Sequence, residues 1–187
     1  MPANKNIMNK NRYFVLAGMV IAAAVARLLP HPWNFTPIGA MALFGGAQFV
    51  SKRTAFLFPL TALFLGDLVL GLHQLMPFVY GCFALTVCLG FWVRHQRNAE
   101  RIVAASLVSS LLFFLVTNFG VWAFLGTYSM NGTGLIECYL AGVPFLRNGL
   151  FGDLFYSGML FGGLALLERR FSFLREPAPV PAATWAV

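Results

Sequence analysis

The sequence predicts an all-α protein that crosses a membrane several times, and two observations carry that prediction. The first is composition. Of 187 residues, 59% are hydrophobic and 10% are charged, with a mean hydropathy of +0.74. Water-soluble domains run at about 45–50% apolar and about 25% charged, so lipid is the natural solvent for this chain. The second is spacing. Apolar stretches recur along the whole length between short polar clusters, and a helix needs roughly 20 mostly apolar residues to cross a hydrocarbon core of about 30 Å. Five or six spans fill the chain. The expected architecture is one six-helix membrane domain over 13–170, with a cytoplasmic N-terminal segment (1–12) and a cytoplasmic C-terminal tail (171–187).

The first segment, 13–30, carries Gly18, Ala22 and Ala26 four residues apart on one helical face, a ladder that lets another helix approach closely. An Ala-rich composition would produce the same spacing without a partner. A second reading also stays open here: basic residues, an apolar stretch and "AVA" at 24–26 describe a cleavable signal peptide ending at Ala26. Arg27 closes the segment. The apolar text then breaks into "PHPWNFTP", where prolines stiffen a loop bearing His31, Trp33, Asn34, Phe35 and Thr36.

The second segment, 37–50, is short and Gly-rich, so it is expected to be tilted, re-entrant or shielded by its neighbours rather than by lipid. The third, 54–72, holds Asp67 near its end. The fourth, 76–93, holds Tyr80 and Cys82 near its start and Cys88 deeper in. The fifth, 102–126, carries Asn118 within "TNFGVW". A Gly-containing connection over 127–146 offers Tyr128, Asn131, Glu137, Cys138 and Tyr139, and the sixth segment, 147–167, holds Asp153.

Orientation follows from the basic residues. With the N-terminus inside, Lys5, Lys10, Arg12, Lys52, Arg53, Arg94, Arg97, Arg101, Arg169, Arg170 and Arg175 face the cytoplasm, eleven of thirteen, leaving only Arg27 and Arg147 outside. That bias predicts N-in, C-in with six spans. It also disposes of a nucleic-acid partner, which the net charge of +7 would otherwise invite.

Depth follows from the rise of about 1.5 Å per residue. Asp67, Cys82 and Asp153 each fall roughly 8–9 Å below the outer surface on that rise, and Arg27 and Tyr80 lie close to it. Ionisable groups in a membrane cost about 2.5–3.5 kcal/mol each on insertion scales and face a cavity or a partner. One reading is therefore a pocket open to the outside, roofed by the first outer loop and the 127–146 connection. The other is an architectural ion pair of Arg27 with Asp67 or Asp153.

Cys82 has three readings from its position: a small inert core residue, a thiolate favoured by nearby Arg27 and able to bind a soft metal, or half of a disulfide with Cys138. Catalytic motifs are missing. There is no HExxH, GxSxG or Walker A loop, so the chain has no nucleotide site of its own. A Cys82 nucleophile working with His31 or His73 is conceivable without any spacing that demands it.

Six short spans, the ladder and an outer pocket resemble an S-component, the substrate-binding subunit of energy-coupling-factor vitamin transporters. In that family an Ala-x-x-x-Ala pattern in the first helix docks onto the transmembrane partner of an ATPase module, and Ala22 and Ala26 stand in that arrangement here. The stretches "NFTPIGAMALFGG", "FLGDLVLG", "PFVYGCFAL", "TNFGVWAF" and "CYLAGVPFLRNGLFGDLFY" resemble more closely the BtuM group of small predicted vitamin B12 transporters of Gram-negative bacteria. That resemblance implies a bacterial inner-membrane protein that binds cobalamin as its substrate, with Cys82 as axial cobalt ligand and no other cofactor. It further implies decyanation of cyanocobalamin by the thiolate, and activity in some members without a recognisable coupling module. Asp67, Tyr80, Arg27, the first outer loop, Asn118, Tyr128, Tyr139 and Asp153 are the expected ligand-contacting residues. Three rivals remain: a binding subunit for another small vitamin or precursor, a membrane-embedded thiol enzyme, and an ion-coupled carrier using Asp67 and Asp153.

Overall fold

A computed structural model describes residues 9–175, which are helical with no strand among them. The six helices are α1 (Lys10–Ala26), α2 (Ile38–Gln48), α3 (Lys52–Leu70), α4 (Met76–His95), α5 (Ala99–Phe124) and α6 (Gly132–Arg170), followed by a short 3-10 turn, Ser172–Leu174. Three of the starts are fixed by asparagines whose side chains accept a hydrogen bond from an otherwise unpaired backbone amide. These are Asn9 for α1, Asn98 for α5 and Asn131 for α6. Pro77 sits in the first turn of α4, where its missing N–H costs nothing.

Four of these helices, α3 to α6, are long and apolar enough to cross a membrane. No more than a third of each apolar window is buried inside the protein, so side chains such as Leu57, Leu65, Val69, Val108 and Leu166 point outward. An apolar surface of that extent belongs in a bilayer. The 17 residues of α1 fall short of that length, and α2 falls far short of it.

Helix α2 is the hub. All eleven of its residues are buried, and it packs against α1, α3, α4, α5 and α6. At about 1.5 Å per residue it is roughly 16 Å long, too short to span the hydrocarbon core, and its neighbours shield it from lipid. Its closest approach is to α4, where Gly46 and Gly90 face one another. A side chain on either would run into the backbone of the other helix, Val87 O or Leu43 O. Two glycines at one crossing let the helix backbones touch.

The other departure from the sequence reading is α6. The stretch expected to connect two spans as a loop over 127–146 is helical from Gly132 onward, and α6 runs unbroken for 39 residues, about 58 Å on the helical rise. Glycines 132, 134 and 142 and Pro144 read as breakers in isolation. Tertiary packing overrides that propensity: Gly142 lies flat against the Asn118 side chain, and Tyr139 donates to Leu115 O at 2.7 Å.

At the opposite end of the bundle from the α1–α2 loop, Arg12 is 2% exposed. Its guanidinium bonds Glu168 at 2.5 Å, Gln48 at 3.0 Å and the carbonyl of Leu174. The sequence reading placed Arg12 in a polar leader, but α1 begins three residues earlier than expected and carries it into the fold. One side chain thereby ties α1, α2, α6 and the final turn together.

Candidate functional site

At the α1–α2 loop end, the helix ends bring three of the expected residues into contact. Arg27 caps α1 and reaches α3, where its Nη2 meets Asp67 Oδ1 at 2.6 Å and its Nη1 donates to Leu63 O at 3.0 Å. Tyr80, one turn into α4, donates its hydroxyl to Asp67 Oδ2 at 2.8 Å. Both oxygens of Asp67 are thus engaged, and the carboxylate is 2% exposed. The ion pair foreseen between Arg27 and an acid forms with Asp67. It locks α1, α3 and α4 to one another.

Beside this lock lies a cleft of about 270 Å³, bounded by the ends of α1 and α2 and by α4, α5 and α6. Arg27, Asn34, Thr36, Asn118 and Asp153 line it, five of the expected residues. A second chamber of about 300 Å³ adjoins it and shares Asn34, His73, Thr117 and Asn118, with Tyr128 on its far wall. Asn34 borders both chambers in the left-handed backbone region, with φ of +62°, a conformation that asparagine tolerates better than most residues. Phe83, Phe113, Phe114 and Phe145 supply the aromatic wall.

Asp153 has a different environment from Asp67. It is 9% exposed, lines the cleft, and accepts one hydrogen bond, from Ser110 Oγ to Oδ2 at 2.6 Å. Neither a cation nor a second donor meets it among the described residues. Gly39, in the first turn of α2, lies directly against its carboxylate, so that any side chain at 39 would strike Oδ1. Below it the seam between α5 and α6 continues as Ser106 with Ser157 at 3.0 Å, and Ser109 turns to Thr86 of α4 at 2.7 Å.

The remaining expected residues lie outside the two chambers. His31 is held by the carbonyls of Arg27 and Pro32, each at 3.0 Å. Trp33 is 80% exposed, and its carbonyl accepts from Asn148. Phe35 packs on Phe155 and Tyr156. Tyr139 is spent on Leu115 O. In the ladder of α1, Gly18 and Ala22 are exposed and Ala26 half-buried, so this face points away from the bundle.

Cys82 is also separate from the cleft. Its neighbours on α4, Val79 and Phe83, face the polar chamber, while Cys82, 2% exposed, borders an apolar groove of about 500 Å³ with Phe56, Phe78, Cys88 and Val116. Cys82, Cys88 and Cys138 are all free thiols, and Cys138 donates to Asn118 O at 3.3 Å. The Cys82–Cys138 bridge that the sequence allowed is not formed. No cluster of three or more His, Cys, Asp or Glu side chains placed to hold a metal occurs among the described residues.

Several lining residues escaped sequence reasoning: Ser110, Thr117, Gly39 and the four phenylalanines; His73 was considered only as a partner for Cys82, and the two line different cavities. For Ser110 there was a signal. The "SLVSS" of 106–110 interrupts an apolar span at helical spacing, and three of those hydroxyls turn out to bond neighbouring helices or Asp153.

What this arrangement can do is admit a small molecule that has both polar and aromatic-compatible faces, and hold it against one acid. No curated protein and no solved structure matches the chain. A family model matches residues 8–179, nearly the entire length, and the chain belongs to that family, DUF6580, a family of unknown function.

Proposed function

We propose that this protein is a membrane-embedded transport subunit that binds a small organic molecule in the cleft around Asp153, with the cleft opening outward in an N-in, C-in, six-segment arrangement. The observation that carries the reading is a polar cavity set among lipid-facing helices, with a buried acid on its wall. Cavities of roughly 300–1,000 Å³ are typical of small-molecule sites, and the two adjoining chambers, of about 270 and 300 Å³, reach that class when taken together. Asp67 is fully engaged, so a proton relay through both acids has less support than a binding role for Asp153 alone. With no nucleotide motif in the chain, energy would come from a partner, and the outward-turned Gly18, Ala22 and Ala26 face offers a coupling module a place to dock. A bacterial inner membrane is the setting that fits the charge bias.

The test is native mass spectrometry on protein purified in mild detergent, beside a Gly39→Val variant that fills the space against Asp153. The expected result is a small molecule retained by the wild type and lost from the variant. A wild type that is folded, empty and unstabilised by any member of a vitamin and precursor panel would overturn the reading.

Cobalamin is the second and narrower reading, and the free thiol of Cys82 favours it. A corrinoid is larger than either chamber, so this reading requires α4 and α5 to part until the Cys82 groove and the cleft join. Protein purified from cells fed cobalamin should then be red, with a visible spectrum that changes in Cys82→Ala. Colourless protein under saturating vitamin removes the reading. Loss of cyanide from many equivalents of cyanocobalamin, rather than one, would make decyanation an enzymatic activity.

A further inference from the structure

We infer that the ligand of the Asp153 cleft is an organic cation, whose positively charged nitrogen sits between the Asp153 carboxylate and the phenylalanine wall. This rests on the cleft being a ligand site and goes further by naming the ligand's chemistry. Among the described residues, the cleft holds an acid with no cation paired to it. Arg27 lines the cavity, but its guanidinium is committed to Asp67 Oδ1 and Leu63 O. Asp153, nine-tenths buried, has a single neutral partner, the Ser110 hydroxyl on Oδ2, and Oδ1 has none. The first turn of α2 beside Gly39 contributes a fractional positive charge from its free amides, which offsets part of a carboxylate and leaves the rest. His73 is exposed and lines both chambers.

The walls fit the same ligand. Phe83, Phe113, Phe114 and Phe145 border the cleft that holds the acid, and aromatic faces attract a cation most strongly where water is excluded. A ligand carboxylate or phosphate would instead meet an acid of its own sign, with the Arg27 guanidinium already paired to Asp67. An acid with no cation paired to it among the described residues, set beside four aromatic rings, selects for positive charge.

The experiment uses the full-length chain in lipid nanodiscs at constant sodium chloride, with thermal unfolding as readout. Two pairs of probes share shape and differ in charge: benzamidinium against benzamide, and phenethylammonium against 2-phenylethanol. At least one cation should raise the unfolding temperature at concentrations ten or more times lower than its neutral counterpart, and Asp153→Asn should erase that difference. Equal effects of charged and neutral probes would overturn the inference while leaving a small-molecule site in place. So would stabilisation by sodium, titrated separately at constant ionic strength, that neither cation displaces, which would make Asp153 an inorganic-ion site. No response to any probe also overturns it, and only an empty protein in native mass spectrometry would then remove the binding function as well. If Asp153→Asn does not fold, the wild-type comparison of charged and neutral probes decides the matter.

Discussion

Asp67 and Asp153 each stand in a Gly-Asp-Leu triplet, each lies within a membrane-length apolar helix, and each is at least nine-tenths buried. Their surroundings differ completely. Asp67 has a guanidinium on one oxygen and a phenol on the other. Asp153 has one serine hydroxyl and an open cavity. The same three-residue word therefore does two jobs. One acid is consumed in holding helices together, and the other has no cation paired to it among the described residues.

The largest effect should come from breaking the closed member of the pair. Arg27→Leu leaves Asp67 buried with only Tyr80, and removing one partner of a buried ion pair costs about 3–5 kcal/mol. Thermal unfolding in detergent should show a large loss of stability. The double variant Arg27→Leu/Asp67→Leu should recover most of it, because replacing both charges by apolar groups of similar volume is often neutral. Failure of the double variant to recover would mean that the Arg27 side chain works through Leu63 O rather than through Asp67.

How much of this contrast was legible in the sequence depends on which coordinate of the helix is asked about. Depth was legible. Counting residues from the ends of apolar segments placed Arg27, Asp67 and Tyr80 within one layer near the same ends of their helices, and they do meet. Azimuth was not. Successive residues on a helix are rotated by about 100°, so Cys82 and Phe83 share a depth but face different cavities. No hydropathy pattern reports that angle on helices that are apolar on nearly every side. The same limit hid Ser110 as the partner of Asp153. It also hid Gly39, since a glycine announces a close approach only once its neighbour is known. The extra helical turns at 132–146 were illegible for a different reason. Their glycines and Pro144 argue locally against helix, and only packing against α5 decides the issue.

An intermediate effect is expected where α2 meets the open member. Gly39→Ala places a methyl group into the Asp153 carboxylate, and overpacking of this kind costs about 1–3 kcal/mol. Unlike an ordinary core clash, it should be relieved by shortening the acid. The pair Gly39→Ala/Asp153→Ala should unfold at a higher temperature than Gly39→Ala alone, a coupling that double-mutant cycles measure directly. Additive losses would show that α2 moves away from α6 instead of pressing on the carboxylate.

The smallest effect sharpens the comparison most. Asp153→Asn keeps the shape of the side chain and an oxygen able to accept the Ser110 hydrogen bond, which for a neutral pair contributes about 0.5–1.5 kcal/mol. What it removes is a charge with no cation beside it. Stability without ligand should therefore change by about 1 kcal/mol or less, and a small gain would be natural. The equivalent change at Asp67 discards a charge-assisted bond to Arg27 and leaves that guanidinium facing an amide, so Asp67→Asn should lose clearly more in the same assay. A site that gains or holds stability when its charge is deleted is one the fold does not use for itself. Comparable losses at both positions would place Asp153 with Asp67 among the structural acids and return the cleft to being a packing defect between α5 and α6.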